Sequence, residues 1–287
     1  MSRRRQLLRG GRKGVPQVAN VGDIAYKASD GSIKVIAPDA WSSALGTPIG
    51  VVVIPSGFAP DNGKARIISL YWGSLSSTSA TTATGIYWAR ASSDMTTLTN
   101  YNRIPTTNNA DSTATGSNAS GYLPSDKFDS ATSYVDSTAK YYGSTPYIPS
   151  PYLGDKPNPA YYAPISGYNN AFADFGGKNN TDVLAVPGTV FDAAVAARKY
   201  KAAGAEEVEW YLPSMGELGY VMPRIGKIRT ALTLASINAS RLTDYSYWSS
   251  TENTSSDAYL INTSDGNVFH YPKYGTSYVR PFAQLDF

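Results

Sequence analysis

The chain has 287 residues, 42% of them hydrophobic, which is enough apolar material for a packed core and excludes disorder throughout. Only 16% are charged, against about 25% in an average domain, and zero cysteine with one histidine, His270, excludes disulfides, thiolate metal sites, cysteine nucleophiles and two-histidine metal sites. The net charge of +3 conceals a division: residues 1–14 hold Arg3, Arg4, Arg5, Arg9, Arg12 and Lys13 and no acid, leaving 19 basic against 22 acidic residues in the body.

Residues 1–14 read as a basic flexible arm able to meet an anionic partner by charge alone. They do not read as an export signal, because Arg9-Gly10-Gly11-Arg12-Lys13 stands where an apolar stretch is required. No run reaches the about 18 apolar residues of a membrane span. Residues 15–47 read as an N-terminal β-extension, with Ile24-Ala25-Tyr26 and Lys34-Val35-Ile36 joined through the Ser29-Asp30-Gly31-Ser32 turn. A second hairpin is predicted from Ile49-Gly50-Val51-Val52-Val53-Ile54, the Asp61-Asn62-Gly63 turn and a returning strand over 65–72. The unbroken Val51-Val52-Val53 run cannot alternate apolar with polar, so that strand should be covered on both faces.

From about 74 to 188 the text is rich in Ser, Thr, Asn, Tyr, Pro and Gly, and reads as an ordered, loop-rich insertion anchored by its tyrosines. Helical spacing begins after Pro187: Phe191, Ala194, Val195 and Arg198 share a face, and Gly204 is placed to end the helix. A second helix opens with a capping box, Ser214 and Glu217, and Pro223 should break or kink it before Ile225, Ile228 and Leu232. Beyond Asn238 short strands and turns run to the end. Strands, loops, two helices and strands again make an α+β pattern.

No phosphate-binding glycine loop, zinc motif or nucleophile elbow is present. Asp244 with Glu252, or Asp257 with Asp265, are the available carboxylate pairs for a surface-glycan hydrolase, a weak reading beside ordinary turn acids. Three segments are more distinctive: Trp210-Tyr211-Leu212-Pro213-Ser214-Met215-Gly216-Glu217-Leu218, Tyr247-Trp248-Ser249-Ser250-Thr251-Glu252 and Tyr278-Val279-Arg280-Pro281. Together with Ile49-Gly50-Val51-Val52-Val53-Ile54-Pro55, Asp174-Phe175-Gly176-Gly177-Lys178-Asn179-Asn180-Thr181 and the opening Ser2-Arg3-Arg4-Arg5, they resemble the C-type-lectin-fold variable proteins diversified by retroelements in gut phages and their bacterial hosts.

The resemblance implies a C-type-lectin-like domain over 48–287, with two helices, a small antiparallel sheet, N- and C-terminal strands that pair, the loop-rich insertion at about 74–188, and a C-terminal ligand face. It implies no catalysis and no cofactor or metal, since the calcium-binding tripeptides of animal C-type lectins do not occur here. Trp248, Glu252 and Arg280 would be structural, with Arg280 expected to be buried and ionised, held by a carboxylate, Glu252 being the candidate, or by several backbone carbonyls. In this family randomised codons never yield Glu, Lys, Gln, Met or Trp, and residues 253–278 contain a single residue of those types, Lys273.

The residues point the same way. From 245 to 278, 8 of 34 residues are aromatic, about twice the chain average of 12%, interleaved with small polar groups as in antibody paratopes. The candidate ligand contacts are Asn253, Ser255, Ser256, Tyr259, Ile261, Thr263, Phe269, His270, Tyr271, Tyr274 and Thr276, expected on one largely exposed surface above Trp248, Val279 and Pro281. Ordinary packing competes with this reading, because alternation along Val268-Phe269-His270-Tyr271 sends neighbours to opposite sides of a sheet. The expectation is a non-enzymatic receptor-binding adhesin of a phage virion, made in the bacterial cytoplasm. It would bind a bacterial cell-surface protein or glycan, attach to other virion proteins through the basic arm, and form a homo-oligomer, taken as a trimer. The alternative is a structural virion component, a fibre or decoration protein.

Overall fold

The computed structural model describes residues 17–57, 63–90, 152–153, 156–157, 175–185, 191–236, 242, 245–252, 257–264 and 268–287. The basic arm, most of the insertion, and Asn253, Ser255, Ser256, Asp244 and Asp265 lie outside them, as does the side chain of Glu252.

Strands β1 (Ile24–Ala28) and β2 (Ile33–Ile36) form the first predicted hairpin, with Ile24 opposite Ile36. Its turn is closed by Asp30, which accepts from the Ser32 amide at 2.9 Å, and by Gly31 at φ 80°, a left-handed conformation that costs glycine little. Strand β3 (Gly46–Ile54) pairs with both β1 and β4 (Ala65–Ser69), so the N-terminal extension completes the same sheet. Val51, Val53 and Ile54 enter the largest core cluster, while Ile49 and Val52 pack on the opposite side with Tyr200, Trp210 and Ala283. The apolar run is thus covered on both faces, each buried Val or Ile side chain contributing about 1.5–3 kcal/mol.

Two-residue strands follow: β5 (Ile86–Tyr87), then β6 (Tyr152–Leu153) paired with β7 (Lys156–Pro157). Helices α1 (Gly177–Leu184) and α2 (Asp192–Lys199) precede β8 (Trp210–Tyr211). Helix α3 (Met215–Val221), a 3-10 turn (Met222–Arg224) and α4 (Ile225–Ala235) realise the expected break at Pro223. Strands β9 (Ser246–Glu252), β10 (Asp257–Asn262), β11 (Val268–Pro272), β12 (Thr276–Ser277) and β13 (Phe282–Leu285) complete the chain, and the architecture is α+β.

Several expectations are corrected. The principal sheet is six-stranded rather than small, in the order β2-β1-β3-β4-β13-β8 with every pairing antiparallel. The C-terminal strand pairs with β4, the return strand of the second N-terminal hairpin, and with β8; among the described residues it does not pair with β3, where the 48–287 domain begins. Helix α2 stops at Lys199, not near Gly204, because Tyr200 turns extended (ψ 140°) to set its ring edge-on against Trp210 at 4.7 Å. Four helices are present among the described residues where two were predicted. The break at Pro223 accounts for one, and α1 arises inside the predicted loop-rich insertion. Its polar Lys-Asn-Asn-Thr text carries no apolar stripe; Asn180 and Thr181 are buried by hydrogen bonds instead.

Candidate binding face

The site rests on a polar scaffold. In β9 the side chains of Trp248, Ser249, Ser250 and Thr251 are all buried, and each meets a backbone or side-chain partner. Trp248 Nε1 donates to the Ile86 carbonyl and Trp88 Nε1 to the Ser249 carbonyl, both at 2.8 Å. Ser249 Oγ donates to the Tyr259 carbonyl at 2.8 Å, Ser250 Oγ accepts from Asn180 at 2.9 Å, and Thr251 Oγ1 accepts from the Met215 amide at 2.9 Å. Small hydroxyls suit this strand because buried polar groups must be paired, and these satisfy α1, the start of α3 and β10 without adding bulk.

The three-stranded sheet β11-β10-β9 has two buried sides. Tyr247, Tyr259 and Ile261 join the largest core, while Trp248, Ala258 and Leu260 join a second cluster with Trp88, Leu184, Phe191 and α2 alanines. The candidate contacts Tyr259, Ile261 and Thr263 are therefore wrongly placed on a ligand surface: all three are buried, Tyr259 at 2% exposure, because β10 is the central strand with cores above and below it. His270 is also separated from its neighbours. Paired with Tyr259 across β10 and β11, it is exposed on that side of the sheet, with Nδ1 3.4 Å from Asp257 Oδ2, whereas Phe269 and Tyr271 belong to the Trp248 side. Strict alternation of side chains divides the expected single surface in two.

On the Trp248 side a compact exposed group remains. The β11–β12 connection is a turn closed by the Gly275 amide on the Pro272 carbonyl at 2.7 Å. Beyond it Thr276 pairs with Tyr87 and Ser277 with Ile86. Thr276 and Tyr87 face solvent while their neighbours Ser277 and Ile86 are buried. Tyr271 lies against Gly275, where a Cβ would collide with its ring, and its ring centroid is 6.2 Å from that of Trp248. Tyr87, Tyr271 and Tyr274 are 44%, 43% and 51% exposed. Trp88, Trp248 and Val279 are buried in one cluster, with Tyr271 next to Trp248, Pro281 is also buried, and Lys273 is buried with its ammonium 4.8 Å from the Trp88 ring centroid, a cation–π contact. Phe269 is half-buried against the same cluster. Tyr87 was missed in the sequence, where it sits within the predicted insertion; its alternation with buried Ile86 and Trp88 was the available signal.

Arg280 is buried, as expected, and its described partners are backbone carbonyls: Nε donates to Ser69 and Nη2 to Leu70, each at 3.0 Å, with the guanidinium 5.3 Å from the Trp72 ring centroid. Burial pushes its pKa down, though a guanidinium stays protonated. The same Ser69–Leu70 region lies beside Tyr200, whose phenol burial pushes up to about 12. A second buried cation escaped the sequence reading. Arg66 Nε donates to Glu217 Oε1 at 3.1 Å with both side chains wholly buried, and Arg66 Nη1 donates to the Lys64 carbonyl at 2.7 Å. Glu217 is in the predicted capping box, accepting from the Ser214 amide at 2.8 Å, and also accepts from the Tyr211 hydroxyl at 2.8 Å.

Among the described residues no group of three or more His, Cys, Asp or Glu converges on a metal position, and no helix is long and apolar enough to cross a membrane. No family model matches the chain, and no curated protein matches it. Among solved structures it is similar to a fimbrial protein from Bacteroides ovatus, at 17% identity and a TM-score of 0.48, over 93% of this chain and 49% of that one. The chain spans about half the length of that protein.

Proposed function

We propose that the chain is a non-enzymatic adhesin of the C-type-lectin-fold variable type, carried by a phage particle, that attaches to a bacterial surface through the Tyr87, Tyr271, Tyr274 and Thr276 face. The observation that carries this reading is the exposure of three tyrosines around the β11–β12 turn and its β5 partner, one of them, Tyr271, 6.2 Å from the ring of the buried Trp248. Tyrosine offers a broad amphipathic surface with little side-chain entropy to lose, and a supported ring loses less still. Lys273, the residue of β11–β12 that codon randomisation cannot yield, belongs to the buried platform, which supports a division between fixed scaffold and variable surface. Several copies on one particle would raise the avidity of a weak single contact.

The test is attachment of the full chain, displayed in multiple copies, to a panel of bacterial cells, compared with Tyr271→Ser/Tyr274→Ser. Wild type should bind and the double variant should not, while its thermal midpoint stays within a few degrees, since surface substitutions usually cost under about 0.5 kcal/mol each. Intact cell binding with failed particle assembly would assign the face to contacts within the virion. Bond cleavage abolished by Asp257→Asn would place the chain among hydrolases.

A further inference from the structure

We infer that the ligand of this face is a neutral pyranose glycan, stacked on Tyr87, Tyr271 and Tyr274. This rests on the adhesin reading above and narrows it. The first ground is charge. The exposed residues of the face are tyrosines and Thr276; Lys273, the cation of the hairpin, is turned inward at 1% exposure onto Trp88. Arg90, three residues beyond Tyr87, is held by Asp192 at 2.8 Å, and the His270–Asp257 pair is on the other side of the sheet. Among the described residues the face therefore presents rings and hydroxyls, and the neighbouring Arg90 charge is paired with Asp192, which matches a neutral ligand.

The second ground is the shape of what is exposed. Each tyrosine is about half exposed, and Tyr271 is fixed against Gly275, so the aromatic surface on offer is partly held in place before any ligand arrives. An aromatic face carries the negative side of its quadrupole, which attracts weakly positive C–H groups. The axial C–H side of a pyranose is an apolar plate of that polarity, and its equatorial hydroxyls project outward in the plane of the sugar. They would meet the Thr276 hydroxyl, directly across from Tyr87 in the β5–β12 pair, and the phenol hydroxyls. Tyrosine-rich surfaces also hold polypeptides, but those ligands commonly drive side chains into desolvated pockets with an apolar core. Among the described residues this face contributes no exposed Leu, Ile, Val or Met. Rings and hydroxyls do the holding here, in place of metal-ligating carboxylates.

The experiment uses the full chain and bacterial cells that it binds, either treated with periodate, which cleaves vicinal diols, or stripped with protease, followed by titration with mannan, dextran and galactan. Binding should withstand protease, fall with periodate, and be competed by at least one of these neutral polysaccharides. Tyr87→Ser and Tyr271→Ser should each weaken it by about tenfold or more, whereas Tyr87→Phe, which keeps the ring face, should stay within about threefold of wild type. Thermal midpoints of all variants exclude unfolding as the cause. Binding that survives periodate and is lost to protease overturns the glycan and leaves the adhesin standing, with a polypeptide as ligand. Periodate-sensitive binding indifferent to all three tyrosine variants overturns the face. Failure of wild type to bind any cell or polysaccharide overturns both readings.

Discussion

Removing the carboxylate of Glu217 strands a guanidinium in the protein interior. Arg66 is wholly buried, and of its described hydrogen bonds only that to the Lys64 carbonyl survives Glu217→Ala. The same substitution removes the carboxylate acceptor of the Tyr211 hydroxyl and of the Ser214 amide at the start of α3. Breaking one side of a buried ion pair costs about 3–5 kcal/mol, a large part of the 5–15 kcal/mol that holds a typical domain folded. For a body of this size each kcal/mol moves the midpoint by about 2–4 °C, so a fall of about 6–20 °C is expected. A thermal scan measures the fall in midpoint and urea denaturation the loss of free energy, both followed by tryptophan fluorescence, since Trp210 is buried in β8 next to Tyr211. The double variant Arg66→Met/Glu217→Leu should recover part of the loss, because apolar side chains of similar volume need no counter-charge, while the Tyr211 hydroxyl and the Ser214 amide still lose their carboxylate acceptor. A cost under about 1 kcal/mol for Glu217→Ala, or no recovery in the double variant, would refute the argument that desolvation of an unpaired charge dominates here.

Arg280→Ala removes the guanidinium donors of the Ser69 and Leu70 carbonyls, so a loss of about 2–6 kcal/mol is expected in the same denaturation assay, at about 1–3 kcal/mol per lost buried partner; a loss under about 1 kcal/mol would show that other donors take its place. Gly275→Ala puts a Cβ into the Tyr271 ring and should displace it, weakening cell attachment more than it lowers the thermal midpoint. Asp192 is nearly buried at the start of α2, and desolvation raises its carboxyl pKa despite Arg90 at 2.8 Å. Because its folded pKa exceeds the unfolded value, its contribution to stability is present at acid pH and is lost as pH rises through the folded pKa. Asp192→Asn should therefore gain on wild type between acid and neutral pH; a wild type that gains on the variant as pH rises from about 4 to 7 would contradict that sign.

The α+β class, both early hairpins, the capping box at Ser214 and the break at Pro223 were legible in the sequence because each follows from local chemistry. Turn residues, β-branched runs and a proline ring act within a few bonds of themselves. The two-sided burial of β3 was legible for the same reason, since a run without polar alternation leaves no side for water. Trp248 as scaffold and the burial of Arg280 also came from the sequence, through a resemblance of words and not through periodicity. What only the tertiary structure decided is which side of each C-terminal strand meets solvent. An aromatic and hydroxyl-rich text describes a binding face and a packed strand equally well, so Tyr259 and Tyr271 could not be told apart until β10 was enclosed between two cores and β11 placed at the sheet edge. Tyr87 entered the face, and Glu217 met Arg66, across 189 and 151 positions of chain. Such pairings depend on the packing of the whole sheet, and no local propensity encodes them.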